Sequence, residues 1–375
     1  MVRATRAGRR MRGLLLSPRA AIAAVAMAVA AAAVALACSA LKPADDEPPT
    51  ADAGDAGGRA DGADAGGAPA RCPAIVELAL PDHAPAAAGA WPSSIVVGPD
   101  GNVWFTLQYP VGFPCSGASV YGNALGRMAP DGAVLELTAG ASPWGPYAMT
   151  AGAGDLWFTA LASGLGHIEL APDAGAPSIV ERTLPGGAIP NGIARGSDGA
   201  LWFTDFNDAV GRIDPGDGGV VELPTPTRPS QPQGIVPGPD GDLYFGEQVG
   251  QIGRITPGDG GIVEFSVRRG NSSVTAVAVG SDGNVWFADR GNDAIGRLSL
   301  ADGAVTEYAL SPGAAPHSIA AGPDGQLWFA ESAAVGSIAT DGGILECPVP
   351  SMPIAITAGP SGVWLTECRA IARLQ

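Results

Sequence analysis

The chain has 375 residues, with 21 lysines and arginines against 37 aspartates and glutamates, a formal net charge of -16. A protein this acidic repels phosphate backbones, which excludes nucleic acid as a partner class, and the same charge opposes aggregation. With 55 glycines and 34 prolines, and no apolar 3.6-residue periodicity beyond the N-terminal segment, a helical protein is excluded as well.

Residues 1–37 read as a signal segment. Arg3, Arg6, Arg9, Arg10, Arg12 and Arg19 precede an uncharged run from Ala20 to Ala37, the pattern of an export signal or a membrane span. The run ends in "VALACS", which resembles a bacterial lipobox with Cys38 as the lipidated thiol. Ala35 stands where leucine is usual, so plain secretion and an uncleaved anchor stay open. Residues 38–71 are rich in Ala, Gly, Asp and Pro and contain no aromatic residue, so they cannot bury enough apolar surface to fold. They are expected to be a disordered tether for the domain that follows. Ser39 resembles the sorting pattern of Gram-negative outer-membrane lipoproteins, so the expected location is the bacterial cell envelope, with the lipid as the sole membrane contact and secretion as the alternative. Without the six leader arginines, 15 basic residues face 37 acidic ones.

Residues 72–375 are built from repeats. An aromatic anchor recurs at Trp104, Trp157, Trp202, Tyr244, Trp286, Trp328 and Trp364. Most anchors follow an apolar run and a turn, as in "IVVGPDGNVWFT", where Asp-Gly supplies the positive φ of a tight hairpin. The second half of each unit, as in "VGRIDPGDGGVVELPTP", reads as strand, turn, strand. Four strands in about 40 to 45 residues make a propeller blade, and seven anchors make seven blades. After Trp364 there is room for one further strand, so "AIVELAL" at 74–80 is expected to complete the C-terminal blade. The fold is therefore an all-β, seven-bladed β-propeller closed by its N-terminal strand, and a monomer.

Loops between blades and turns between second and third strands share one face, around the mouth of the central channel. His317, in "APHSIAAGPDG", belongs to that face. The second strands end at Leu107, Ala160, Asp205, Glu247, Asp289, Glu331 and Glu367, five of them carboxylates. Crowded like charges need arginines, protons or a metal. The "GRI" strands supply Arg212, Arg254, Arg297 and Arg373, expected to pair across the strands with Asp205, Glu247, Asp289 and Glu367. Blade 6 has Ser337 in that slot, which leaves Glu331 without its arginine in the blade that carries His317. The pair is a candidate ligand or metal site; a solvated glutamate beside a rim histidine is the alternative. His167 fills the arginine slot of blade 2 and is expected to be a structural replacement. His83 falls in a loop by composition. If Cys38 carries lipid, then Cys72, Cys115, Cys347 and Cys368 allow three pairings; Cys115 with Cys368 is favoured by the adjacency of their loops.

The phrases "GPDGDLYFGE", "IGRITPGDGG" and "VTEYAL" resemble the streptogramin B lyase family, also called the virginiamycin B lyase family, over residues 72–375. The resemblance implies elimination in a cyclic depsipeptide, with a histidine base and a bound Mg2+ ion. It further implies that His317, in "PHSI", contacts substrate and that Glu367, in "TEC", holds the metal. Where the family carries a second metal carboxylate and the base in "EPHGI", this chain has Met352 and Ile354; where it carries a tyrosine in blade 1, this chain has Ser93. Three functions are compatible with this pattern. One is a propeller that binds a small molecule or a protein at the channel mouth. Another is a metal-dependent carbon-oxygen lyase or hydrolase on a cyclic ester, with His317 as base and Glu331 and Glu367 as ligands. The third is a structural envelope protein.

Overall fold

The computed structural model describes residues 72–80, 91–111, 120–138, 145–152, 154–160, 164–170, 177–216, 218–267, 270–367 and 370–375. The leader, Cys38, the tether, His83, Cys115 and Cys368 lie outside them. The described residues form 28 strands and one short 3-10 turn, and no helix among them is long and apolar enough to cross a membrane.

Seven four-stranded antiparallel sheets account for all 28 strands. Blades 1 to 6 span residues 91–138, 146–183, 190–224, 232–266, 274–309 and 318–348, each a meander of four successive strands. Blade 7 consists of β26 (Pro353–Gly359), β27 (Gly362–Glu367) and β28 (Ala370–Leu374), with β1 (Ile75–Ala79) as its outer strand. The N-terminal strand thus completes the last blade, antiparallel to β28 in the register Ile75↔Leu374 to Ala79↔Ala370. The inner strand of blade 1, β2 (Trp91–Val97), lies against β26 and closes the ring.

One packing motif repeats around that ring. The anchor aromatic of each blade is buried against the second strand of the next: Trp104 with Phe158, Trp157 with Phe203, Trp202 with Phe245, Tyr244 with Phe287, Trp286 with Phe329, Trp328 with Leu365 and Trp364 with Phe105. The last contact returns to blade 1. A buried indole must find an acceptor, and the hairpin turn provides it: Trp202 Nε1 donates to Asp198 at 3.2 Å and Trp286 Nε1 to Asp282 at 3.1 Å. The glycine after the turn aspartate has the expected positive φ, 78° at Gly199 and 73° at Gly283. Within blades 1 to 6 the phenylalanine ring lies over a third-strand glycine, and blade 7 has Leu365 opposite Ala372 instead; a Cβ on Gly211 would sit 2.0 Å from Phe203.

Polar links join the inner strands. Thr204 accepts from Gly192 N–H at 2.8 Å and donates to Gln233 O of the next blade at 2.6 Å. Thr159 does the same with Ala148 N–H and Asn191 O, at 3.0 and 2.7 Å. Outside, the turn between third and fourth strands packs on the outer strand of the preceding blade, as Gly260 does on Leu223 and Gly342 on Tyr308. Cys347 pairs with Val335 as Tyr308 pairs with Ile295, so it holds the same place in blade 6. There it forms a disulfide with Cys72, with Cα atoms 5.6 Å apart. Blade 7 has no such turn, because its chain is interrupted there, and the disulfide supplies the contact. The Cys72–Cys347 bond is the complement of the Cys115–Cys368 pairing expected from the sequence, whose own members fall outside the described residues.

Candidate functional site: the channel mouth

Each inner strand starts with a residue that lies just after a proline or its equivalent, at an irregularity in the strand register. Pro190 pairs with Asp205 and Ile193 with Phe203, leaving Asn191 and Gly192 between them; blades 1, 2, 4, 5 and 7 repeat the shift. In blade 6 His317 N–H bonds to Ala330 O at 3.0 Å, beside the pair Ser318↔Ala330. The equivalent residues are Ser93, Tyr147, Asn191, Gln233, Thr275, His317 and Ile354, one per blade. They form the inner ring of the mouth: hydrogen-bonding groups in six blades and an apolar side chain in the seventh.

Both ring nitrogens of His317 face backbone carbonyls, and the neutral ring can donate to one of them. Nε2 lies 2.9 Å from Pro353 O of blade 7 and Nδ1 lies 3.2 Å from Ala315 O. Burial holds its pKa below the usual histidine range, against the pull of these two carbonyls and with a smaller push from the Arg290 cation. The neutral ring with its proton on Nε2 staples blade 6 to blade 7.

Outside the ring stands a rim, formed by the residue after each second strand. Phe206, Gln248, Arg290 and Ser332 each donate a backbone N–H to the inter-blade loop, at Ile189 O, Ser230 O, Ser273 O and Ala314 O. Arg290 is the charged member of these four, and it is exposed.

The five second-strand carboxylates lie beneath, all at most 3% exposed, and they divide by length. Asp205 accepts from Ile189 N–H and Asn207 N–H at 3.0 and 2.9 Å, and Asp289 from Ser273 N–H, Gly291 N–H and Asn292 Nδ2. The glutamates are not satisfied this way. Both oxygens of Glu247, both of Glu367 and Oε1 of Glu331 are buried without a hydrogen-bond partner. Burial, then Glu264 and Asp208, push Glu247 up to about 8. Burial, then Glu346 and Asp293, push Glu331 up to about 7, and burial, then Glu77, push Glu367 up to about 7. The like charges of Glu346 and Glu77 stand beside Glu331 and Glu367 and, after burial, favour the protonated form of each.

The expected arginine pairs do not form. The register sets Arg212 opposite Trp202, while Asp205 faces Ala209. Arg212 Nε therefore donates to Asp198 at 2.8 Å on the opposite face, with its guanidinium over the Trp202 ring. Arg254 and Arg297 likewise reach the turn residues Asp242 and Asp282, at 3.5 and 3.9 Å, and Arg373 lies over Trp364. Glu331 is thus no exception among the carboxylates, and Ser337 interrupts a different node. His167 is the structural replacement expected: it stacks on Trp157 with centroids 4.2 Å apart and bonds to Asp155 at 3.2 Å.

His317, Glu331 and Glu367 occupy one face, yet their side chains engage separate partners. Among the described residues no group of three His, Cys, Asp or Glu side chains is placed to hold a metal ion. Two mouth residues escaped the sequence reading. Tyr147 was legible in "GPYAM" of blade 2, the inner-ring position at which Ser93 stands in blade 1. Arg290, in "WFADRGND", had no signal until the rim was defined.

A closed seven-bladed propeller with a polar ring at one axial opening defines the class: a toroidal all-β scaffold. The profile of the virginiamycin B lyase family matches residues 117–333 and 250–375, and the chain belongs to that family. It is similar to the crystal structure of a catalytically inactive histidine-to-alanine virginiamycin B lyase from Staphylococcus aureus with quinupristin, with 30% identity, a TM-score of 0.70, and 80% of this chain and 99% of that chain covered. A structure described as a streptogramin B lyase gives 28% identity and a TM-score of 0.70 over 80% and 97% of the two chains. No curated protein matches the sequence.

Proposed function

We propose that this protein is a ligand-binding propeller that retains the family's channel mouth without its elimination chemistry. The observation that carries this reading is Ile354, the blade 7 residue of the inner ring. Elimination needs a base at the reacting carbon, and an isoleucine cannot accept a proton. His317 does not substitute for it, since its nitrogens already face two backbone carbonyls.

The donor set also suits Mg2+ poorly. That ion demands near-octahedral oxygen ligands, whereas Met352 offers none, and Glu331 and Glu367 lie in separate carboxyl pairs. No step is therefore routed through a metal. The test is incubation with quinupristin and Mg2+, followed by mass-resolved chromatography. The cyclic compound is expected to survive; a linear product of unchanged mass, formed with turnover, overturns the proposal.

A second reading, a lyase or hydrolase on another cyclic ester, is favoured by one observation: Glu331 and Glu367 exchange protons near neutrality, where acid-base groups work best. It requires activity lost both with EDTA and in His317→Ala.

The leader sequence supports export, with Cys38 as the lipid attachment point and the folded domain as a monomer in the cell envelope. Replacing Cys38 with serine is expected to move the protein from the membrane fraction to the soluble one, and an unchanged distribution argues for secretion or an uncleaved anchor.

A further inference from the structure

Arg290 is the feature of the mouth that the reading above leaves unused. It is exposed, and its side chain has no hydrogen bond or ion pair among the described residues, whereas Arg212, Arg254 and Arg297 are each spent on a turn aspartate. Its backbone N–H bonds to Ser273 O, two residues before Thr275 of the inner ring, and Thr275 Oγ1 lies 3.5 Å from Pro316 O, the neighbour of His317. Arg290 and His317 are therefore adjacent around the mouth.

The guanidinium is also felt on the other side. Its charge acts on His317 in blade 6 and on Tyr147 in blade 2. Blade 2 lies across the axis from blade 5, so the Arg290 charge reaches both sides of the opening. The inner ring beside it holds Tyr147, Ile354 and the amides of Asn191 and Gln233, which donate to Pro232 O at 3.3 Å and to Gln231 O at 3.0 Å. The ring carries no carboxylate, and of the acids below the two aspartates accept from the loops while burial favours the protonated form of the three glutamates.

We propose that the mouth takes a small monoanion, a carboxylate on an apolar body, with Arg290 pairing the charge, Tyr147 donating to it, and Ile354 meeting the apolar part. One unpaired cation set on a protein of net charge -16 suits a single negative charge; a dianion would meet the surrounding acidic field with one charge uncompensated. A guanidinium fork also matches carboxylate geometry. This inference rests on the mouth being a ligand site, and the two fail differently.

The experiment is calorimetric titration of the full chain with phenylacetate, with its uncharged isostere phenylacetamide and with inorganic phosphate. Phenylacetate is expected to bind at least tenfold more tightly than the amide. Arg290→Gln, at an exposed position, should erase that preference while leaving the amide's affinity and the melting temperature unchanged. Equal affinity for acid and amide, both weakened in Tyr147→Phe, overturns the anionic assignment and keeps the ligand site. Phosphate binding more tightly than phenylacetate overturns the monocarboxylate class. Binding of neither probe, or binding insensitive to both variants, overturns this inference and the ligand-site reading together.

Discussion

Asp205 and Glu247 occupy the same place in neighbouring blades and differ by one methylene, and that methylene decides which groups each carboxyl meets. Burial raises the pKa of both and Asp208 adds to each. The shorter side chain accepts from the N–H groups of Ile189 and Asn207, which lower it, while the longer one has no such donor and meets Glu264. The glutamate is accommodated by keeping its proton. Glu247, Glu331 and Glu367 all have pKa values above that of a free side chain in the folded protein, so the folded state binds more protons than the unfolded one. Their contribution is complete below about 4.5, the value of an unfolded glutamate, and is lost as pH rises through 7 to 8. The melting temperature is expected to fall between pH 5 and pH 9, and Glu247→Gln should flatten that fall and raise the melting temperature at pH 9. A flat profile in the unaltered protein would show these carboxyls to be solvated. At this scale the sequence was only partly legible: five carboxylates at strand ends could be counted, but whether each meets an amide or another acid depends on a reach of about 1.5 Å, the length of one carbon-carbon bond.

The element scale was far more transparent, because period-two strands and Asp-Gly turns repeat seven times, and repetition removes the ambiguity of any single copy. The misplaced arginines show how a hairpin can still be misjudged. Asp205 faces Ala209 across the turn, so a residue seven further on must lie at the far end of the strand, beside Trp202. The information was present, since alternation and turn length fix the register, but proximity in sequence was given more weight than strand direction. The same hairpins set the cost of change. Gly211→Ala brings a methyl group against the Phe203 ring inside a packed sheet, and about 1–3 kcal/mol of destabilisation is expected, read from denaturant unfolding. Thr204→Val removes the link between blades 3 and 4 and leaves Gly192 N–H without its acceptor, at about 1–3 kcal/mol; a smaller loss would mean that the inner strands cohere through packing alone.

For the whole molecule the decisive event is closure, and it was legible because the last repeat lacks a strand that the first residues of the domain can supply. That closure also carries a covalent lock was legible in part: four cysteines allow several pairings, favouring Cys115 with Cys368 leaves Cys72 for Cys347, and the turn that blade 7 lacks shows why those two meet. The bond spans 275 residues of sequence. Chain-entropy reasoning puts an upper bound of about 5 to 6 kcal/mol on such a crosslink, and less is expected here because the ring also closes through β1. Cys72→Ser should lower the melting temperature under oxidising conditions and leave it unchanged under reducing ones; equal stability in both would show that the strand alone seals the circle.

The point at which the domain begins has a further bearing. Cys72 stands where the other blades have their third-to-fourth-strand turns, and Gln375 N–H bonds to Ala74 O beside it. Both ends of the described domain thus lie on the side that bears the tryptophan and arginine nodes, with the polar ring on the reverse. Whatever the chain joins at either end of the domain, it does so on the face away from the polar ring, which stays open to whatever diffuses past.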